Sequence, residues 1–392
     1  MKVELLKIKD FASVVSGATP KTNIEEYWNG NFNWITPAEI KENDKYINNT
    51  FRKVSEEGIK SSSLKLLEKG TVLLTSRAPI GKVAIVGKEM YCNQGFKNIV
   101  CNKSIVNPEY IFYWLKNNTD YLNSLGRGAT FKEISKSIVE NIEVPIYSLD
   151  VQNKIVEVLN KSQEIIDKRK KQIEELNLLV KSKFIEMFGD PVKNPLEWQK
   201  GKIADIIVKT QYGTSNKADE FNGDFKVLRM NNITYDGNWD FTSIKYINLD
   251  EKEQKKYLVY KGEVLFNRTN SKELVGKTAV YKEDEPMAYA GYLVKAIPNE
   301  RANGEFISAY MNTKYVKDKL LNMAKNIVGM ANINAEEFKK IDVYIPPIEL
   351  QNQFADFVKQ VDKLKFEMEK SLRELENNFN SLMNKAFKGE LF

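Results

Sequence analysis

The feature that most constrains the fold of this chain is an internal repeat. Residues 69–77 and 80–86 recur as residues 261–268 and 275–281; in each copy an apolar run leads to an arginine and is followed by a Gly-Lys pair. The copies lie roughly two hundred residues apart, which is far longer than a solenoid unit. Two domain-sized copies in one chain predict a protein that contacts one partner at two places.

The repeat extends in both directions. Further alignments are 34–40 with 227–233, Gly17 with Gly213, and 151–153 with 350–352. The chain has 392 residues, more than one hydrophobic core normally serves, so at least two domains are expected.

Composition excludes several kinds of site. The chain has no histidine and only two cysteines, Cys92 and Cys101, which lack the spacing of metal ligands. A zinc site and a disulfide framework are therefore not expected, and the commonest general base is missing. The net charge of +6 comes from 59 basic and 53 acidic residues, which permits a polyanionic partner without requiring one.

Apolar residues occur in short runs only. The N-terminal residues carry charges where a signal peptide needs an apolar stretch, and no run approaches the length of a bilayer span. We expect a soluble, cytoplasmic protein with no membrane partner.

Each copy is predicted to form an α/β domain, over residues 1–147 and 191–345. Glycines punctuate the short β-branched runs, and amphipathic helices are predicted over 110–122 and 306–323. Strands are predicted at 72–74, 83–86 and 99–101 in the first domain and at 227–228, 264–266 and 278–281 in the second.

A long helix is predicted after each domain, over 148–190 and 346–392. Both segments place apolar residues seven positions apart, as in a coiled-coil seam. These residues are Leu159, Ile166, Ile173, Val180 and Met187 in the first helix and Phe354, Val361, Met368, Leu375 and Leu382 in the second. An apolar stripe along a helix is unfavourable in water, so we expect the two helices to pack on each other. The alternatives are that they pack on a helical partner protein or on their own domains.

The predicted fold class is therefore α+β. Two α/β domains form a pseudo-twofold repeat, each is followed by a long helix, and the two helices pack as an antiparallel coiled coil.

No catalytic motif is found in the sequence. There is no phosphate-binding loop and no Gly-x-Gly-x-x-Gly turn. The Asp/Asn-Pro-Pro-aromatic motif of adenine methyltransferases is matched neither by residues 194–198 nor by Pro346-Pro347. Residues 253–255, Glu-Gln-Lys, match the carboxylate-x-lysine part of a metal-dependent nuclease site. In a chain rich in Glu and Lys such a match is expected by chance. We expect a protein that binds without catalysing.

Two glycine loops are the first candidate binding features. They occupy residues 16–21 and 212–217, and each combines small residues, hydroxyl groups and a lysine that can donate to phosphate oxygens. Ordinary glycine turns are the alternative for both.

Arginines after the repeated strands are the second candidate feature. Arg77 and Arg268 are aligned, and a guanidinium can recognise guanine in bidentate fashion or clamp a phosphate. The loop around Arg127 is basic, whereas its counterpart around Asn332 carries no positive charge. We predict that Arg127 addresses guanine and Asn332 adenine, so that the copies read different sequences. Solvated surface loops are the alternative.

Taken together, these segments resemble the specificity subunit of type I restriction-modification systems. The resemblance covers nearly the whole chain. It rests on the glycine loops, residues 34–37, the strand before Arg77, the passage over 144–153 and the Pro-Pro-x-x-x-Gln segment at 346–351. It implies a non-catalytic DNA reader with two target recognition domains, in which the helices set the distance between two half-sites of a bipartite target.

The resemblance also implies partners and candidate residues. The implied partners are double-stranded DNA, two methyltransferase subunits that bring S-adenosylmethionine, and restriction and translocase subunits that use ATP and Mg²⁺; this chain itself is expected to hold no cofactor or metal. The candidate DNA-binding residues are Gly17, Thr19, Lys21, Arg77, Arg127, Thr130, Lys132, Tyr212, Thr214, Asn216, Lys217, Arg229, Asn231, Arg268, Asn270 and Asn332.

Two functions of other classes stay open at this point. One is a free-standing DNA methyltransferase or nuclease with an unrecognised site. The other is a coiled-coil scaffold that binds only proteins.

Overall fold

Each copy of the repeat folds as a mixed α/β domain in the computed structural model, which describes residues 3–128, 132–327 and 330–391. The chain divides into two units: unit 1 contains residues 1–170 and 370–392, and unit 2 contains residues 171–369. Each unit combines one copy of the repeat with parts of both long helices. The division of the chain into domains and helices at 147, 190 and 345 stays a prediction.

Short strands and helices build the domain of unit 1. The strands are β1 (Glu4–Lys7), β2 (Ala12–Ser16), β3 (Phe32–Ile35), β4 (Tyr46–Ile47), β5 (Arg52–Val54), β6 (Val72–Ser76), β7 (Ile80–Val86), β8 (Tyr91–Cys92), β9 (Lys97–Cys101) and β10 (Glu143–Ile146). The helices are α1 (Ile8–Phe11), α2 (Glu56–Ser61), α3 (Pro108–Asn117), α4 (Thr119–Ser124) and α5 (Lys136–Glu140), and the long helix α6 (Leu149–Phe188) follows. The strand orders are β2-β9-β6-β7-β4, β5-β3-β8 and β1-β10.

The domain of unit 2 repeats this plan. Its strands are β11 (Gln199–Lys202), β12 (Ile207–Tyr212), β13 (Phe225–Leu228), β14 (Lys245–Ile247), β15 (Leu258–Val259), β16 (Val264–Asn267), β17 (Thr269–Asn270), β18 (Thr278–Val280), β19 (Met287–Tyr289), β20 (Leu293–Pro298), β21 (Lys325–Ile327), β22 (Met330–Asn332) and β23 (Asp342–Ile345). Its helices are α7 (Glu251–Tyr257), α8 (Gly304–Met311), α9 (Lys314–Met323) and α10 (Ala335–Lys339), followed by the long helix α11 (Ile348–Lys388).

Sheet topology agrees between the two domains. The order β12-β20-β16-β18 in unit 2 corresponds to β2-β9-β6-β7 in unit 1, and β14-β13-β19 corresponds to β5-β3-β8. In both copies the second sheet contains a parallel pair, β3 with β8 and β13 with β19. The repeated sequence therefore specifies one sheet plan twice.

The two amphipathic helices predicted from the sequence are each broken at an asparagine. The Asn118 side chain donates to the carbonyl of Trp114 at 2.7 Å, and the Asn312 side chain donates to the carbonyl of Ser308 at 2.8 Å. A side chain that bonds back to the last turn competes with the helical ladder, which ends there. The predictions of single helices over 110–122 and 306–323 are wrong in this detail.

The long helices pack against each other within each unit. In unit 1 the first half of α6 shares a core with the last part of α11, and in unit 2 the second half of α6 shares a core with the first part of α11. The buried contacts are made by Ile155, Leu159, Ile166, Phe379 and Met383 in unit 1 and by Phe184, Phe188, Phe354 and Val358 in unit 2. This pattern is antiparallel, so the predicted fold class is confirmed.

A buried glutamine attaches each domain to its long helix. The Gln152 side chain accepts from the backbone of Asn107 at 2.8 Å and donates to the carbonyls of Ile105 and Tyr147 at 3.0 and 2.8 Å. The Asn107 side chain in turn donates to the Asn153 side chain at 2.8 Å. We call this set of hydrogen bonds the glutamine clamp.

The same clamp recurs in unit 2. The Gln351 side chain accepts from the backbone of Asn303 at 2.9 Å and donates to the carbonyls of Arg301 and Pro346 at 3.0 and 2.8 Å. The Asn303 side chain donates to Asn352 at 2.9 Å. Both glutamines are fully buried, so an apolar replacement would leave several backbone groups unpaired.

Candidate functional site

The glycines of the two glycine loops lie against backbone of their own domains. A Cβ on Gly17 would lie 2.0 Å from the carbonyl oxygen of Asn93, and a Cβ on Gly213 would lie 2.3 Å from that of Ala290. No side chain fits such a gap, so packing inside the domain explains both glycines. Their part in DNA binding stays a prediction.

The polar residues of the glycine loops differ in accessibility. Thr19 is hydrogen-bonded to Gln94, and Thr214 is 3% exposed, with its hydroxyl accepting from the backbone of Asn216 at 3.1 Å. The Asn216 side chain donates to Glu253 at 2.8 Å. The residues of these loops that are open to a ligand include the exposed lysines, Lys21 and Lys217.

The repeated lysines of the Gly-Lys pairs are internal. The ammonium group of Lys82 donates to the carbonyls of Pro37 and Ile40 at 3.3 and 2.8 Å. Lys277 donates in the same way to Met230, at 2.7 Å, and to Ile233, and burial lowers its pKa. Each lysine joins its part of the repeat to the segment that follows β3 or β13, and this internal role explains why it recurs.

Basic residues of unit 1 gather around one carboxylate. Glu133 pairs as an isolated β-bridge with both Arg77 and Arg127, and Lys132 precedes it in the chain. Its carboxylate lies 3.2 Å from the ammonium group of Lys97 and 3.8 Å from the guanidinium of Arg77. Arg77 and Lys132 line a cavity of about 460 Å³ beside it. We call Arg77, Lys97, Arg127, Lys132 and Glu133 the basic cluster.

Unit 2 has an arginine held by neutral groups at the end of the corresponding strand. The Arg268 guanidinium donates to the side-chain oxygen of Asn332 at 3.2 Å and lies 4.9 Å from the ring centre of Tyr212. The Asn332 amide nitrogen donates to the Thr269 hydroxyl at 3.0 Å, and the Tyr212 hydroxyl accepts from the backbone of Ala335 at 3.0 Å. The structure thus brings together three predicted site residues. We call Tyr212, Arg268, Thr269 and Asn332 the neutral cluster.

The alignment of Arg77 with Arg268 is shifted by one residue in the structure. The backbone nitrogen of Ile134 donates to Ser76, whereas that of Ile333 donates to Arg268. The β-bridges pair Arg77 with Glu133 and Thr269 with Asn332. Arg268 therefore takes the place of Ser76. A register irregularity in β6 between Leu74 and Ser76 accompanies this shift.

The same register corrects the comparison of the loop around Arg127 with the loop around Asn332. The structural counterpart of Asn332 is Glu133, not a residue of the predicted basic loop. Sequence reasoning missed Glu133 and the buried Lys97. A signal was present, because Glu133-Ile134-Ser135 and Asn332-Ile333-Asn334 both end in a helix N-cap.

The other candidates are not members of these clusters, or lie outside the described residues; Asn270 adjoins Thr269 of the neutral cluster. The Arg229 guanidinium donates to the backbone and hydroxyl oxygens of Ser243 at 2.8 and 3.0 Å, and Asn231 nearby is exposed. The side-chain oxygen of Asn270 accepts from the backbone of Ser271 at 2.9 Å. Thr130 lies outside the described residues.

Among residues 3–128, 132–327 and 330–391, no group of three or more Asp, Glu, Cys or His side chains is placed to hold a metal ion. Burial raises the pKa of the Cys92 and Cys101 thiols to about 12, so both stay protonated near neutral pH. No helix in the described part of the chain is long and apolar enough to cross a membrane.

Comparison with known proteins gives consistent relatives. A chain from a solved structure concerned with assembly and conformational transition of the type I R-M system has a TM-score of 0.62 at 17% identity, with 99% of this chain and 98% of that chain covered. The S subunit of a type I restriction-modification system from M. genitalium has a TM-score of 0.56 at 16% identity, with coverage of 99% and 96%. These likenesses concern the fold.

Sequence similarity identifies the family as well as the fold. The MjaIX specificity subunit of the type I restriction enzyme from Methanocaldococcus jannaschii is 36% identical over 230 residues, and the match covers 54% of this chain and 53% of that protein, about half its length. The sequence profile of the type I restriction modification DNA specificity domain matches residues 1–178 and 195–377, almost the whole chain. This chain belongs to that family, with two matches to the DNA specificity domain, one in each copy of its internal repeat.

Proposed function

We propose that this chain recognises a bipartite DNA target, with one half-site read by each domain. The observation that carries the proposal is the pair of unlike clusters at corresponding places: the basic cluster of unit 1 and the neutral cluster of unit 2. An arginine presented at a strand end can reach base edges in the major groove, and different neighbours select different bases. The internal repeat thus supports two readers with different preferences.

The long helices supply the proposed spacer. Helix α6 runs without interruption from Leu149 to Phe188 between the two domains in sequence. A continuous helix has a fixed rise per residue, so its length would determine how many base pairs separate the half-sites.

We also propose the partners that the family suggests. Two methyltransferase subunits would carry S-adenosylmethionine and methylate adenine in the half-sites, and restriction and translocase subunits would use ATP and Mg²⁺. This chain would supply the DNA sequence preference to both activities.

The test uses the full chain assembled with its methyltransferase subunits. DNA modified by this complex is sequenced for methylated adenines, and two short motifs with a constant gap are expected. A variant with seven residues inserted after Lys170 should shift that gap by about three base pairs, because seven helical residues add about 10 Å. An unchanged gap would reject the role of the helix. Methyl transfer by the chain alone would instead favour a free-standing methyltransferase.

A further inference from the structure

Glu133 and Asn332 occupy the same place in the two domains and contact the recognition arginines. Each precedes an isoleucine whose backbone nitrogen donates to the end of the central strand, and each forms the β-bridge beside that end. Glu133 contacts Arg77, and Asn332 contacts Arg268. The equivalence is one of position, whereas the chemistry differs: a carboxylate in unit 1 and an amide in unit 2.

Both ends of the Asn332 amide are engaged within its domain. Its side-chain oxygen accepts from Arg268 at 3.2 Å, and its side-chain nitrogen donates to Thr269 at 3.0 Å. An amide that recognises adenine by itself uses both ends for the base, whereas these two hydrogen bonds orient Asn332 toward its neighbours in the domain. The group it holds, the Arg268 guanidinium, also lies on the Tyr212 ring, so the arginine is oriented from two sides.

Glu133 holds its arginine by charge. Its carboxylate is shared between Lys97, which is nearly buried, and Arg77, whose side chain is 37% exposed. The ion pair with Arg77 is long, at 3.8 Å, and both partners are accessible at the surface. The ion pair is made by one Nη atom of Arg77, and a guanidinium has five N–H donors, so donors remain for an acceptor pair such as O6 and N7 of guanine.

We infer that Glu133 and Asn332 are positioning residues that aim the base-reading arginines, Arg77 and Arg268, in the two half-sites. This inference rests on the proposed function, because it assumes that each domain reads one half-site. Glu133 adds a second effect that Asn332 does not have. Its negative charge lies among basic residues that would attract phosphates, so it weakens binding to DNA of any sequence while it improves discrimination.

The two effects of Glu133 have opposite signs, and this distinguishes positioning from a purely structural role. Glu133→Gln keeps the size and removes the charge. It should bind random duplex DNA more tightly and with a steeper dependence on salt concentration, because one more cation is available to phosphates. Its base preference in the first half-site should fall by about tenfold, since a loosely held arginine contributes less to discrimination. A variant that merely unfolds would lose both kinds of binding.

The matched variants separate the two half-sites. Asn332→Ala should relax preference in the second half-site only, and Glu133→Gln in the first half-site only. Glu140→Gln is the control, because Glu140 also makes an ion pair, with Lys136 at 3.5 Å, but lies outside the basic cluster. It changes the net charge equally and should leave both preferences intact.

The experiment selects duplexes from a randomised library with the full chain in its methyltransferase complex and sequences them. Wild type should give two motifs, and Arg77→Ala and Glu133→Gln should broaden the same motif. If Arg77→Ala broadens the first motif while Glu133→Gln leaves it unchanged, the positioning role is rejected and the proposed function stands. If wild type selects no motif, the proposed function fails and the inference falls with it.

Discussion

Units 1 and 2 use the same glutamine clamp but fill the space between domain and long helices differently. Counted from the N-cap asparagines, Phe112 and Tyr113 of α3 correspond to Ser308 and Ala309 of α8. The Tyr113 ring lies 6.3 Å from the ring of Phe379, centre to centre. When the clamp glutamines are aligned, Phe379 corresponds to Val180. Large aromatic side chains in unit 1 are therefore replaced by small ones in unit 2.

The replacement leaves a cavity in unit 2. It has a volume of about 570 Å³, and Val180, Ser308 and Ala309 are among the residues that line it. Both units pack their domain on the long helices, but at different places. In unit 2, Phe306 of α8 lies 5.8 and 5.1 Å from the rings of Phe184 and Phe188, centre to centre, and the cavity lies where unit 1 has Tyr113 and Phe379.

The largest expected effect comes from making unit 1 resemble unit 2. Phe379→Val removes a buried ring that packs against Tyr113, and it should lower the stability of unit 1 by about 2 to 4 kcal/mol. Hydrogen exchange in urea, followed peptide by peptide, assigns the loss to unit 1. Phe51→Val is the control, because Phe51 is 89% exposed. Equal losses for both variants would contradict the role of the Tyr113 contact.

The reciprocal change should have a smaller effect of opposite sign. Val180→Phe places a ring in the cavity of unit 2 and should stabilise that unit by about 1 kcal/mol, as cavity-filling substitutions commonly do. The same hydrogen-exchange measurement, read on peptides of unit 2, checks this. A loss of stability would mean that the cavity walls do not accept the side chain that occupies this place in unit 1.

The smallest expected effect concerns two glutamates at the same helix position. Burial raises the pKa of Glu109, but hydrogen bonds from Lys45, Asn160 and Tyr46 outweigh it and lower the pKa overall. Burial raises the pKa of Glu305, and the ion pair with Lys282 at 2.8 Å only partly opposes this. The ionised form is therefore favoured in unit 1 and disfavoured in unit 2.

We expect Glu109→Gln to destabilise unit 1 by about 0.5 kcal/mol at pH 7. We expect Glu305→Gln not to destabilise unit 2, because burial disfavours the ionised form that the substitution removes. The folded pKa of Glu109 lies below the unfolded value of about 4.3, so its contribution is present above that pH and is lost as the pH falls through the folded pKa. Urea unfolding of both variants at pH 7 and in acid measures this. A difference between wild type and Glu109→Gln that persists in acid would contradict the assignment.

Much of the fold could be predicted from the sequence, because repetition and periodicity are local signals. Apolar residues spaced seven positions apart identified both long helices. The repeated apolar runs identified strands such as β6, β7 and β16. The breaks at Asn118 and Asn312 were missed because they depend on a side chain that bonds back to the preceding turn.

The candidate site was harder to predict, because its geometry depends on contacts between distant residues. The one-residue shift between Arg77 and Arg268 arises from strand pairing, which an ungapped comparison of the two runs does not reveal. Glu133 follows Arg77 by 56 residues in the sequence, and only the folded domain brings them together. Thr214 has a typical phosphate-binding side chain, yet it is buried. The sequence marked the segments that carry the basic and neutral clusters but not the contacts within them, and their part in DNA binding stays a prediction.

The glutamine clamp attaches both domains to their long helices by the same set of hydrogen bonds. Its polar groups come from the start of α3 or α8 and from the start of α6 or α11, away from the loops that carry Arg77 and Arg268. We therefore expect that exchanging these loops between the two domains leaves the clamp hydrogen bonds in place. In such a chimaera, Asn107 stays with Gln152 and Asn153, and Asn303 stays with Gln351 and Asn352. Each domain then keeps its attachment to its long helix while its surface loops are replaced.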